Sequence, residues 1–300
     1  MFNNSPLRYP GGKSRVSKFI EKLIEENGLE KGTYVEPFAG GAGVALNLLF
    51  SEVVDKVFIN DKDKSIYAFW YSILYITDKF IDKIISTDIT IEEWLKQRDI
   101  QKQQDVDIFT LGFSTFFLNR TNRSGIIKGG VIGGIEQSGN WKLDVRFNKE
   151  ALIKKIQRIA AYKEKIHIFN MDAIDFLKNE VTKLDKNTLI YLDPPYYQKG
   201  KQLYMNFFEH KDHVSLYETI NQLEYLWLVS YDNRQEIKEI YKNKQNLTIE
   251  YNLRYTAGKK GSGQEIMFAS DNLVFTKRDP ITLKAVSYTH LRAHETRHDL

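Results

Sequence analysis

Asp193-Pro194-Pro195-Tyr196 follows the apolar run Leu189, Ile190, Tyr191, Leu192. Such a run reads as a buried strand, and two prolines directly after it stop both strand and helix. The turn therefore presents a carboxylate, a proline carbonyl and an aromatic face at the carboxyl end of a strand, where ligands sit in open α/β sheets. This set suits an exocyclic amine on a planar ring: the carboxylate and the carbonyl each accept one N–H while the ring stacks on Tyr196. Those bonds pull the nitrogen lone pair out of conjugation and make the amine a better nucleophile. The four residues alone also fit an ordinary tight turn with an exposed tyrosine, so the rest of the chain has to decide.

Two further stretches carry chemistry. Tyr9-Pro10-Gly11-Gly12-Lys13-Ser14 precedes a helix with apolar spacing at Val16, Phe19, Ile20, Leu23 and Ile24, closed by Gly28. It is not a phosphate-binding P-loop, because Leu7 stands where the earlier glycine is required. Lys13 is left at a helix start, either solvated or meeting an anionic group. A short strand Thr33, Tyr34, Val35, Glu36 then leads into Pro37-Phe38-Ala39-Gly40-Gly41-Ala42-Gly43 and a helix, a turn in which a ligand can approach the backbone closely. Asp61, at the end of the next strand and about 20 positions on, is where such folds bind ribose hydroxyls. Leu46 occupies the third glycine position of the dinucleotide fingerprint, which favours a single adenosine over a dinucleotide. Asp172 follows the strand Ile166, His167, Ile168, Phe169 and reads as a helix N-cap, a ligand contact, or both.

Residues 65–165 change character to amphipathic helices and polar loops. The apolar stretch from Phe109 to Leu118 predicts a buried helix that runs into Asn119-Arg120-Thr121-Asn122-Arg123, then Lys128 and a series of glycines. Basic and amide side chains on such a loop can reach phosphates and base edges, or the loop can be plain surface. Lys259 and Lys260 sit in the turn of a predicted C-terminal hairpin whose return includes Leu273, Val274 and Phe275. His210 and His213 read as surface residues. His290, His294 and His298 share a helical face with Glu295, but the tail 286–300 resembles a translated cloning segment. It is set aside, and no metal is expected.

The chain has 300 residues, 42% hydrophobic and 27% charged, with no cysteine. That is ordinary for a globular protein and excludes disulfide frameworks and thiolate chemistry. No apolar run approaches the ~20 residues of a membrane span, and a cytoplasmic location is expected. A net charge of +4 decides little about partners.

In order, Tyr9 to Lys13, Glu36 to Gly43, Asp61, a helical insertion and Asp193 to Tyr196 resemble the Dam-type, alpha-group adenine-specific DNA methyltransferases, over roughly residues 5–277. The resemblance implies a Rossmann-like, S-adenosylmethionine-dependent α/β fold: a mixed, mostly parallel sheet with a C-terminal antiparallel hairpin. Its catalytic domain would comprise residues 1–64 and 166–285, interrupted by a mainly helical target-recognition insertion at 65–165. It further implies that Tyr9, Lys13, Glu36, Pro37, Phe38, Gly40, Gly43, Asp61, Asp172 and Asp193 meet S-adenosyl-L-methionine. Asp193, Pro194, Pro195 and Tyr196 would hold the target adenine, flipped out of the duplex. Asn119, Arg120, Asn122, Arg123, Lys128, Lys259 and Lys260 would meet DNA. Double-stranded DNA is the expected partner, with either a cognate restriction endonuclease alongside or a solitary role. An RNA or other amine methyltransferase of the same fold, or a catalytically silent DNA-binding relative, are the alternatives.

Overall fold

A computed structural model describes residues 4–8, 16–197, 208–247, 249–255, 261–275 and 283–285. Tyr9, Lys13, Lys259, Lys260 and the tail 286–300 lie outside the described residues.

Eight described strands form one sheet: β1 (Thr33–Glu36), β2 (Lys56–Asn60), β3 (Ile166–Phe169), β4 (Thr188–Leu192), β5 (Leu226–Asp232), β6 (Ile249–Tyr255), β7 (Gly261–Ala269) and β8 (Leu283–Ala285), in the order β3-β2-β1-β4-β5-β7-β6-β8. Strands β1 to β5 pair in parallel, and β7 is antiparallel to both β5 and β6. This is the mostly parallel sheet with a C-terminal antiparallel hairpin that the sequence predicts. Strand β4 is buried along its whole length, as a central parallel strand with both faces covered must be, which is why it reads as an unbroken apolar run. The chain moves outward from β1 to β2 to β3 and then returns to place β4 on the other side of β1. The switch point, where a crevice opens beyond the strand ends, therefore lies between the ends of β1 and β4, at Glu36 and Asp193.

Helices α1 (Ser17–Glu26) and α2 (Gly43–Phe50) flank β1 in sequence, and α3 (Lys64–Tyr75), α4 (Thr77–Ser86), α5 (Ile91–Ile100), α6 (Ile108–Thr121) and α7 (Lys149–Ala160) come between β2 and β3. Side chains of Asp63, Thr90, Asp107 and Asn148 cap α3, α5, α6 and α7, each accepting a backbone N–H of the first turn. As expected, α6 is buried through Phe113, Phe116, Phe117 and Leu118. It lies so close to α3 that a Cβ on Gly112 would fall 2.4 Å from the Ala68 carbonyl oxygen. The apolar cluster containing these phenylalanines also contains Leu46 of α2, Val57 of β2 and Leu189 of β4. The inserted helices thus share one core with a face of the sheet. On the other face, α8 (Ala173–Asn179), α9 (His210–Asn221) and α10 (Gln235–Ile240) cover Val35, Ile190, Leu192 and Val229.

Leu273, Val274 and Phe275 do not extend the hairpin. They leave the sheet after β7 and run back over α1, where the Asn27 side chain donates to the Val274 carbonyl at 2.8 Å and accepts its N–H at 2.7 Å. Phe275 packs edge-on to Phe19 with ring centres 5.5 Å apart. The outer neighbour of β6 is instead β8, which the sequence does not announce. Among the described residues no helix is long and apolar enough to cross a membrane.

Candidate active site

The turn after β4 is held by its neighbours in the sheet. Asp193 is half-buried and its Oδ1 accepts the Ser230 hydroxyl at 3.2 Å; Ser230, on β5, also lies 3.0 Å from the Tyr191 hydroxyl. Pro194 is buried and Pro195 half-buried. Tyr196 is only 6% exposed, against the sequence expectation of an open aromatic face. The reason is that its hydroxyl donates to Glu265 Oε1 on β7 at 2.5 Å, drawing the ring inward. The next residue is held too: the Tyr197 N–H donates to Asp232 Oδ1 on β5 at 3.0 Å.

At the end of β1, Glu36 is buried and its Oε1 accepts the Ala45 N–H in the first turn of α2 and the Tyr34 hydroxyl, both at 3.1 Å. Burial pushes the Glu36 carboxyl up to about 8; the two hydrogen bonds pull against this, and nearby Asp193 adds to it. Beyond Pro37 and Phe38 the chain doubles back through Gly40 (φ +47°) and Ala42 (φ +45°), left-handed values for which glycine is the natural residue. Asp61 reaches across from β2: its Oδ2 accepts the Gly40 N–H at 2.9 Å, and its Oδ1 accepts the Asp63 N–H at 2.9 Å. Burial raises Asp61 to about 7 despite those bonds. The Trp70 indole N–H holds the Gly40 carbonyl at 3.0 Å, so the turn is pinned on both sides.

Sequence reasoning passed over Asn60. Its buried side chain donates to the carbonyls of Pro37 (3.0 Å) and Met171 (3.1 Å) and accepts the Met171 N–H at 2.9 Å. It therefore ties together the loops after β1, β2 and β3. The available signal was an amide at a strand end, immediately before the acid. Asp172 caps α8 by accepting the Ile174 N–H at 2.9 Å and pairs with Lys62 Nζ at 2.9 Å. Burial would raise its pKa, but Lys62 and the N–H bonds prevail and hold it below the usual carboxylate range.

Glu36, Asp61 and Asp193 thus surround a backbone turn that is open at Gly43, where an added Cβ would meet no atom within 4 Å. Half-buried Asp193 stands close enough to buried Glu36 to oppose its ionisation, so a cationic ligand beside Glu36 would favour its charged form.

The expected DNA-facing residues divide. Asn119 and Asn122 are buried, and their amides are already committed. Asn119 accepts the Arg8 N–H at 2.7 Å and donates to the carbonyls of Arg8 and Gly125, each at 2.8 Å. Asn122 accepts the Trp94 indole N–H at 2.7 Å and donates to the Ile126 and Ile127 carbonyls. Both hold the loop and do not reach outward, which corrects the expectation of DNA contact. Arg120 is half-buried, donating to the carbonyls of Arg146 (2.7 Å) and Pro6 (3.4 Å). Burial, then the nearby Arg8 and Arg146, lower it to about 10. These three guanidiniums form a positive cluster that the sequence, in which Arg8 lies more than 100 positions from the other two, does not reveal. Arg123 and Lys128 are exposed, as is Trp141 at 69%, a residue the sequence reading left aside.

His213 is a second correction. It is buried on α9, its Nδ1 3.2 Å from the Tyr231 hydroxyl, with Tyr197 and Phe208 against its ring. Burial lowers it to about 4. His210 is exposed, as expected.

Comparison with known proteins bears on this geometry. Over 206 residues the chain is 25% identical to the type II methyltransferase M.MjaIII of Methanocaldococcus jannaschii, covering 63% of this chain and 68% of that protein. Among solved structures, a protein provisionally described as an RNA methyltransferase from Pyrococcus horikoshii matches 88% of this chain and 84% of its own at 10% identity (TM-score 0.40). One provisionally described as a class I S-adenosylmethionine-dependent methyltransferase from Listeria monocytogenes matches 93% and 65% at 11% identity (TM-score 0.39). The family model for D12 class N6 adenine-specific DNA methyltransferases matches residues 9–255. With its sheet order and the acids at its switch point, the chain belongs to that family and has the Rossmann-like fold of S-adenosylmethionine-dependent methyltransferases.

Proposed function

We propose that this protein transfers a methyl group to the exocyclic N6 amine of an adenine in duplex DNA. The observation that carries the reading is the placement of Asp193 and Pro194 at the end of β4, directly beside the glycine-rich turn that ends β1. S-adenosylmethionine, when bound, supplies a methyl group on a sulfonium. Glu36, Asp61 and the backbone around Gly40 and Gly43 fit such a ligand, because it carries ribose hydroxyls for these carboxyls and a positive charge that would favour the ionised forms that burial disfavours. Tyr9, Lys13, Pro37, Phe38 and Asp172 complete the proposed cofactor contacts.

The Asp193 carboxylate and the Pro194 carbonyl accept the two N–H bonds of the amine and aim its lone pair. Rate comes from alignment and from acceptors set for the nitrogen as it becomes tetrahedral. Asp193 need not be a strong base, since the methylated nitrogen is acidic enough to release its proton afterwards. An adenine inside a duplex cannot present its amine to this site, so it is flipped out at a cost of a few kcal/mol, of which stacking on Tyr196 returns about 1–3 kcal/mol. Since Tyr196 is buried, the base displaces whatever covers the ring. The helices of residues 65–165 supply target recognition, with Arg123, Lys128 and the Arg8, Arg120, Arg146 cluster meeting phosphates and exposed Trp141 and the Lys259-Lys260 turn as further contacts.

The test compares wild type with Asp193→Ala on a duplex containing adenine and on one in which every adenine carries an N6-methyl group. Transfer by wild type to the first duplex alone, lost in the variant, is expected. Equal transfer to both duplexes overturns the adenine assignment.

A further inference from the structure

On β5 and β7, Asp232 and Glu265 stand directly opposite each other in the ladder. Asp232 is 9% exposed and Glu265 is fully buried. Cross-strand neighbours point to the same face of a sheet, and like charges placed opposite one another destabilise it. Burial adds a desolvation cost to each. Their partners among the described residues include two consecutive residues of one turn: the Tyr196 hydroxyl donates to Glu265 Oε1 at 2.5 Å, and the Tyr197 N–H donates to Asp232 Oδ1 at 3.0 Å. Asp232 is further steadied by Arg234, whose Nε lies 3.5 Å from its Oδ2.

We propose that Glu265 and Asp232 are positioning residues, a two-carboxylate clamp that holds the turn after β4 from the far side and fixes where Asp193 and Pro194 point. The inference rests on the proposed methyl transfer for its kinetic consequence but not for its geometry. Asp193 has a lateral tie to Ser230. Rotation of the turn about the strand axis is stopped further along, by the phenol on one side chain and the backbone N–H next to it. The phenol-to-carboxylate bond also fixes the Tyr196 ring at one angle. It raises the electron density of the face on which a base would stack, which favours a partner that becomes positive as its amine is alkylated.

The test is a double-mutant cycle on Tyr196→Phe and Glu265→Ala, with Glu265→Gln as the conservative variant, reading the single-turnover methyl-transfer rate and the S-adenosylmethionine dissociation constant separately. Each single variant should lower the rate about tenfold at little-changed cofactor affinity, since misplacement of the reacting group costs rate and not binding. The double variant should be no slower than the slower single, because both remove one bond. Glu265→Gln, whose Oε1 still accepts the phenol, should restore most of the rate lost in Glu265→Ala. Multiplying effects, a wild-type rate in Tyr196→Phe, or loss of rate and cofactor affinity together would overturn the clamp. Should Glu265→Ala fail to fold, Tyr196→Phe alone decides: it removes the same bond from the other side, and a wild-type rate in it overturns the clamp. Thermal unfolding of the four proteins repeats it without DNA, and additive shifts there overturn the clamp whatever the acceptor is. Absence of wild-type transfer to DNA, by contrast, would count against the proposed acceptor alone.

Discussion

Glu36→Gln isolates the electrostatic cost of the site. The carboxyl is buried among Tyr34, the start of α2 and Asp193, and its pKa is raised from 4.5 to about 8, with burial the largest cause. Between those two values the folded chain keeps a proton that the unfolded chain has released. Stability from this group is therefore fully present below pH 4.5 and is lost as pH rises through about 8, at about 1.4 kcal/mol per pH unit within the window. At pH 7 the loss relative to pH 4.5 is about 3 kcal/mol. Glutamine is isosteric and neutral, and its Oε1 can still accept the Ala45 N–H and the Tyr34 hydroxyl. Asp61 and His213 titrate in both proteins and cancel in the difference. Urea unfolding of wild type and Glu36→Gln from pH about 5.5 to about 7.5 should thus show the variant gaining on wild type by about 1.4 kcal/mol per unit, close to 3 kcal/mol in all. A difference that stays flat over this range would refute the assignment of a buried, protonated Glu36.

Asp193→Ala should abolish methyl transfer while leaving S-adenosylmethionine affinity within a few-fold of wild type by calorimetry, because the side chain is placed for the amine at the end of β4, tied to Ser230 on β5; wild-type-like turnover would sink the mechanism. Asn119→Ala removes three hydrogen bonds made by a buried amide and should cost about 2–3 kcal/mol in denaturant unfolding, whereas exposed Arg123→Ala and Lys128→Ala should leave stability unchanged. Those two should instead each lower the slope of log affinity against log salt for duplex DNA by about 0.9, and unchanged slopes would remove them from the interface. His213, held near pKa 4 chiefly by burial, contributes stability that is present above pH 6.5 and lost as pH falls through about 4. His213→Phe should flatten that acid limb by about 1.4 kcal/mol per unit, which parallel acid limbs in the two proteins would contradict.

Much of the scaffold is legible in the chain because it follows from local rules. The run Leu189 to Leu192 announces a doubly covered strand, Gly40 and Gly43 announce a tight turn, and Asp172 announces a cap; each shows in the structure as read. What the sequence hides is long-range partnership. Asn119 and Asn122 look like recognition residues because amides beside arginines suit base edges, yet Arg8, more than 100 positions away, and Trp94 consume their hydrogen bonds. Tyr196 looks exposed because a diproline turn projects outward, but the burial follows from Glu265, which lies 69 positions on and becomes adjacent only through the antiparallel insertion of β7 beside β5. His213 carries no apolar label, and only the rings of Tyr197, Phe208 and Tyr231 make it a core residue.

The central claim is tested most directly by incubating the purified protein with methyl-labelled S-adenosylmethionine and unmethylated duplex DNA, then digesting the DNA to nucleosides. The geometry at Asp193 and Pro194 predicts label in N6-methyl-2′-deoxyadenosine from DNA. Label on cytosine, or label in RNA or protein with none in DNA, would contradict it.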